Sequence, residues 1–89
     1  MNKLITKNRE IELIDISPIC YNIETNKWDE IVVKTKTPID NTVFNVETDS
    51  IILTNKKGKY LIYFDGYTID DLTLTIEPNR CQFVPEASQ

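Results

Sequence analysis

The chain of 89 residues contains no histidine, one alanine and only two glycines. Histidine is the commonest general base and a leading zinc ligand, so its absence removes most familiar catalytic and metal-binding arrangements. Ser17, Ser50 and Ser88 have no imidazole to activate them. A lysine acting as base instead needs a deep desolvating pocket, which a chain of this length hardly encloses. The two glycines stand alone at positions 58 and 66, which leaves no phosphate-cradling loop. Ala87 lies in the last residues, so the best helix former is missing from the body of the chain.

Other absences bear on compartment. No apolar run approaches the roughly 18 residues of a membrane span. Met1-Asn2-Lys3-Leu4 leads into polar residues rather than the apolar core of a signal peptide. None of the eight asparagines begins an Asn-x-Ser/Thr sequon. The expectation is a protein without signal peptide or membrane partner, intracellular or part of a particle assembled in the cytoplasm. Cys20 and Cys81 lie 61 residues apart, which excludes a CxxC redox or zinc-ribbon motif. Two reduced, partly buried thiols are expected, with a disulfide as the lesser alternative.

Carboxylates are the candidate calcium ligands. Asp65, Asp70, Asp71 and Glu77 come close together in sequence, but the alternating Asp/Asn pattern with a distal Glu is absent. Asp-Gly and Asp-Asp are more often turn formers with solvated carboxylates. No catalytic residue, metal ligand, cofactor or small-molecule substrate is therefore expected, and the chain reads as non-enzymatic.

What the sequence does have is β-branched residues. Thirteen Ile, five Val and ten Thr make 28 of the 89 residues. Such side chains are stiff at χ1 and pack well on a pleated surface. Turn signals recur every eight to twelve residues, the spacing of a sandwich or barrel. The reading is an all-β single domain over 1–89, an antiparallel sandwich or barrel of about seven to nine short strands, with a polar tail at 85–89. At most one helical turn is expected, near 68–71, where Thr68 and Asp71 resemble a capped turn after Asp65-Gly66.

Individual strands follow from alternation. Glu10 to Ile16 alternates with a one-residue slip at Leu13-Ile14, the sequence form of a β-bulge. A hairpin is expected from Ile19–Ile23 through a turn in which Asn26 takes positive φ to a long return strand, Trp28–Lys36. Thr42–Glu47 reads as a strand with Phe44 and Val46 inward. Ser50–Thr54 and Lys59–Phe64 form a second hairpin about Asn55-Lys56-Lys57-Gly58. Leu72–Glu77 alternates without fault, Pro78-Asn79 reads as a turn, and Cys81–Val84 as a closing strand.

Charge and aromatic content set the functional expectations. The net charge is −4, with residues 1–36 balanced and residues 37–89 holding four basic against eight acidic groups. Without a basic face nucleic acid is an unlikely partner. Lys56, Lys57 and Lys59 form the single basic cluster and are expected to be solvated at a hairpin tip. Tyr60, Tyr63, Phe64 and Tyr67 fall within eight residues, and Trp28 begins a strand beside a turn. These five are the candidate interface, since Tyr and Trp combine large contact area with a polar handle. The leading expectation is a structural or assembly module that docks on a larger protein assembly or on copies of itself. By analogy of architecture, that is the place of an accessory or decorating subunit of a virion or other large assembly. The alternative is an acidic inhibitor that blocks a nucleic-acid-processing enzyme.

Overall fold

The computed structural model describes residues 2–7, 9–44 and 50–84. Its elements in chain order are β1 (Lys3–Ile5), β2 (Glu10–Ile16), β3 (Tyr21–Asn22), β4 (Lys27–Trp28), β5 (Ile31–Thr35), a 3₁₀ turn (Asn41–Val43), β6 (Ser50–Asn55), β7 (Gly58–Asp70) and β8 (Thr73–Val84). Six strands close an antiparallel barrel in the order β1-β2-β5-β8-β7-β6, while β3 and β4 form a separate two-stranded ribbon. The fold is therefore all-β, and a barrel rather than a sandwich. β1, β2 and β5 make a meander, and the chain then crosses the barrel to β6, which returns beside β1 in a Greek-key path.

Alternation places one side chain in two inside the barrel. Cross-strand partners share a face, so the register defines the interior rows. Ile11, Leu4 and Leu53 form one interior row, whose register continues to half-buried Tyr60 and exposed Phe83. Ile51, Ile62 and Cys81 form a second, and Ile31, Ile76 and Tyr67 a third. Val33, Leu74 and Ile69 form a fourth, and buried Leu13 faces Thr35. The crossover between β5 and β6 closes one end with buried Ile39, Val43 and Phe44. Phe44 packs on Tyr67 and Phe64, with ring centroids 4.3 and 5.5 Å apart. At that end the fully buried Thr35 hydroxyl donates to the Thr37 carbonyl at 2.6 Å. A buried hydroxyl left without an acceptor would be costly, and this bond meets that requirement.

Several sequence expectations are met. β2 carries a register shift between Leu13 and Asp15, where the alternation slips. The hairpin of β6 and β7 closes at the Asn55–Gly58 pair, with Gly58 at φ 142°. A Cβ there would meet the Phe83 ring at 3.2 Å, so both conformation and space favour glycine. Asn26 adopts φ 60° in the ribbon turn.

Others are corrected. There is no helical turn at 68–71: Thr68, Ile69 and Asp70 belong to β7, and the reversal is a two-residue turn at Asp71-Leu72 with Asp71 at φ 58°. Aspartate tolerates that left-handed conformation, so it serves as the turn residue itself. The described 3₁₀ turn lies instead at Asn41–Val43, overlapping the start of the segment expected as a strand. There the Thr42 hydroxyl and amide donate to the Asp40 carboxylate and hold its pKa below the usual range. Phe44 is buried as expected. Val46 and the 85–89 tail lie outside the described residues.

The expected hairpin between Ile19–Ile23 and a single strand Trp28–Lys36 is also different. β5 pairs with β2 and β8, and the Ser17 amide donates to the Val32 carbonyl at 2.8 Å. Ribbon β3–β4 is therefore an excursion from the β2–β5 hairpin, held by the Asp29 amide donating to the Cys20 carbonyl at 2.9 Å. Asp65-Gly66 and Pro78-Asn79, both read as turn signals, sit within the long β7–β8 hairpin.

Candidate interaction surfaces

The β7–β8 ladder changes register twice in succession. Tyr63 pairs with Arg80 and Phe64 with Pro78, which leaves Asn79 as the extra residue on β8. Gly66 then pairs with Glu77, which leaves Asp65 as the extra residue on β7. The two extra residues bond to each other, the Asn79 side-chain amide donating to Asp65 at 2.7 Å. Bulges of this kind redirect side chains and end regular pairing, and they often flank functional sites. Pro78 is tolerated because the ladder is already interrupted beside it.

The ribbon β3–β4 packs over this point. Tyr21 and Trp28 are cross-strand partners, and their rings meet edge to face at 5.2 Å and 76°. The Tyr21 hydroxyl donates to the Asn26 side chain. The Asn22 side chain accepts from the amides of Glu24 and Thr25 at 2.9 and 3.3 Å, which orders the ribbon turn. Between ribbon and bulges lies a cleft of about 510 Å³, lined by Tyr21, Asn26, Lys27, Trp28, Glu30, Asp65, Glu77, Pro78 and Asn79. It holds two aromatic rings, three carboxylates and one ammonium. Among the described residues the ion pairs are Lys3–Glu10 at 3.7 Å and Lys36–Glu12 at 3.1 Å, so the carboxylates of this cleft have no cationic partner there.

A second cleft, about 610 Å³, lies between the segment leading into the ribbon and the β6–β7 turn. Ile16–Cys20, Asn55, Lys56, Lys57, Tyr60 and Asn2 line it. Its charged groups are the two lysines, so the two clefts differ in sign. Outside the barrel Ile5, Ile52 and Leu61 form a half-buried cross-strand row, with Tyr63 beside it under the Arg80 guanidinium at 5.5 Å.

The five residues expected at an interface are thus dispersed. Phe64 is 8% exposed and belongs to the core. Tyr67 packs against the same core through Phe44. Tyr60 lies at the opposite mouth of the barrel, its ring 4.9 Å from Phe83. Tyr63 is outside, and Trp28 walls the acidic cleft. Sequence reasoning missed Tyr21, Asp65, Glu77 and Asn79 as neighbours of Trp28. The Asp65-Gly66 and Pro78-Asn79 pairs, 13 residues apart, are the signal for paired bulges. The chain matches no family model, no curated protein and no solved structure.

The cysteines remain as free thiols, Cys20 exposed and Cys81 half-buried beside Ile62. Burial pushes the Cys81 thiol up from its ordinary 9.0 to about 11. Iodoacetamide near about pH 8 is therefore expected to modify Cys20 quickly and Cys81 slowly, because the thiolate is the reactive form. Mass mapping of a time course checks this, and equal rates would contradict it. The raised value also has a sign for stability. The folded state favours the neutral thiol, so its contribution is complete below pH 9.0 and is lost as pH rises through about 11.

Among the described residues no group of three or more Cys, Asp or Glu side chains is placed to hold a metal ion. No helix among them is long and apolar enough to cross a membrane.

Proposed function

We propose that this protein is a non-enzymatic structural or assembly module, docking by protein–protein contact on a larger assembly or on copies of itself. The observation that carries the reading is the cleft under the ribbon. Two adjacent bulges, one on each strand, direct Asp65 and Asn79 toward a wall made by Tyr21 and Trp28. Such a wall combines contact area with hydrogen-bonding groups, the combination that interfaces favour. A role as an accessory or decorating subunit of a virion or similar particle is an analogy from size and architecture. The reading as an acidic inhibitor is weaker, because a net charge of −4 is modest and ten basic residues interrupt the acidic field.

The test is the size of the purified protein in solution, by light scattering, alone and with candidate partners. Species larger than the 10.3 kDa monomer are expected. Trp28→Ala should lose them while keeping the far-ultraviolet circular dichroism of the barrel, since the ribbon lies outside the closed sheet. A protein that stays monomeric and co-purifies with nothing, or a Trp28→Ala variant that associates like the parent, would remove the reading.

A further inference from the structure

The acidic cleft has a complement elsewhere on the same chain. The tip of the β6–β7 hairpin presents Lys56 and Lys57, both exposed, with exposed Lys59 just beyond. The tip is held in shape: Asn55 and Gly58 close it, and the Asn55 side chain accepts from the Lys57 amide at 2.8 Å. Neither tip lysine is in an ion pair among the described residues. One chain therefore carries a pre-shaped cationic projection and an aromatic-walled recess in which carboxylates outnumber cations.

The two do not satisfy each other within one molecule. Gly58 and Asp65 are seven residues apart along β7, roughly 20 Å of strand and well beyond the reach of a lysine side chain. We propose that the Lys56–Lys57 tip of one copy seats in the Tyr21, Trp28, Asp65 and Glu77 cleft of a second copy. This rests on the contact reading above and names its partner. An ammonium placed there meets the carboxylates of Asp65 and Glu77. Because Tyr21 and Trp28 meet edge to face, the edge-on ring keeps faces that its neighbour does not cover, and such faces attract cations. A cleft of about 510 Å³ has room for the ends of both lysines.

Such a contact is heterologous, with a different patch used on each copy. Each patch can therefore be disabled separately. Lys56→Ser with Lys57→Ser removes the projection and leaves the cleft. Asp65→Asn with Glu77→Gln neutralises the cleft and leaves the projection. Sedimentation velocity from micromolar to millimolar protein is expected to show the parent chain associating. Moving from low salt to a several-fold higher ionic strength should weaken the association by about tenfold or more, since exposed charges are screened. Each variant alone should stay monomeric, and an equimolar mixture should form a dimer and nothing larger, because only one intact projection and one intact cleft remain.

A parent chain that is monomeric throughout overturns the proposal, as does association indifferent to salt. Association by the lysine variant alone does so too. If that variant associates while Trp28→Ala does not, the contact reading stands and the second copy's lysine tip is not the occupant.

Discussion

Replacing Phe44 by alanine is expected to destabilise the protein by about 3–5 kcal/mol, the range for a buried aromatic side chain. A domain of this size commonly has only about 5–10 kcal/mol in total, so the variant should sit near its unfolding threshold. The reason is the position of the ring. Phe44 is 6% exposed although it lies in a connection rather than a strand. It meets Tyr67 at 4.3 Å and Phe64 at 5.5 Å, which makes it the stopper at one end of the barrel. Removing it leaves a void that a closed sheet collapses around poorly, because six mutually paired strands resist moving inward. Urea unfolding followed by circular dichroism measures the loss, and Phe44→Leu should lose much less. A cost below about 1 kcal/mol, the range of ordinary surface changes, would mean that the crossover does not seal the barrel.

The second large effect is expected at Leu4. Leu4→Ala should cost about 2–5 kcal/mol, as for other fully buried leucines. Its distribution over the molecule should be uneven. β1 has three residues, yet it forms the seam with β2 on one side and with β6 on the other. Leu4 is the one buried side chain of that strand, opposite Ile11 and Leu53. Shaving it should release β1 before the rest, so amide protection falls first in β1 and at the facing edges of β2 and β6. The long β7–β8 ladder should stay protected under the same conditions. Hydrogen exchange resolved by residue distinguishes this from a uniform loss, which would show that barrel closure does not depend on β1.

The two outcomes mark where the sequence was readable. Alternation and β-branching declare strands directly, and a slip such as Leu13-Ile14 declares a bulge, because a one-residue shift moves every later side chain to the other face. Gly58 and Asn26 were legible because few residues accept positive φ. The errors along β7 and β8 share one cause. Asp-Gly and Pro-Asn are local turn signals, but whether the chain reverses there depends on the facing strand. At 65 and 79 each extra residue is matched by an extra residue opposite, so β7 and β8 continue through both. The reversal falls to Asp71, a residue whose dihedral preference is weaker than glycine's. The cleft was illegible for the same reason. Trp28 was visible as an interface residue, but of its carboxylate neighbours only Glu30 is close in sequence; Asp65 and Glu77 come from β7 and β8, and only the register brings them to it. Tyr67 and Phe64 were misplaced because a strand rich in rings gives no sign of which rings will plug a barrel end.

The Greek-key order also fixes when the barrel can close. β8 is the last strand among the described residues and the one that joins β5 to β7. Until it leaves the ribosome, both of those strands present an unpaired edge, and the interior stands open between them. β1 faces a similar delay on the other side, since its second partner, β6, begins at Ser50. A nascent chain arrested before Thr73 would therefore be a curved, open sheet with two adhesive borders, prone to join its neighbours along them.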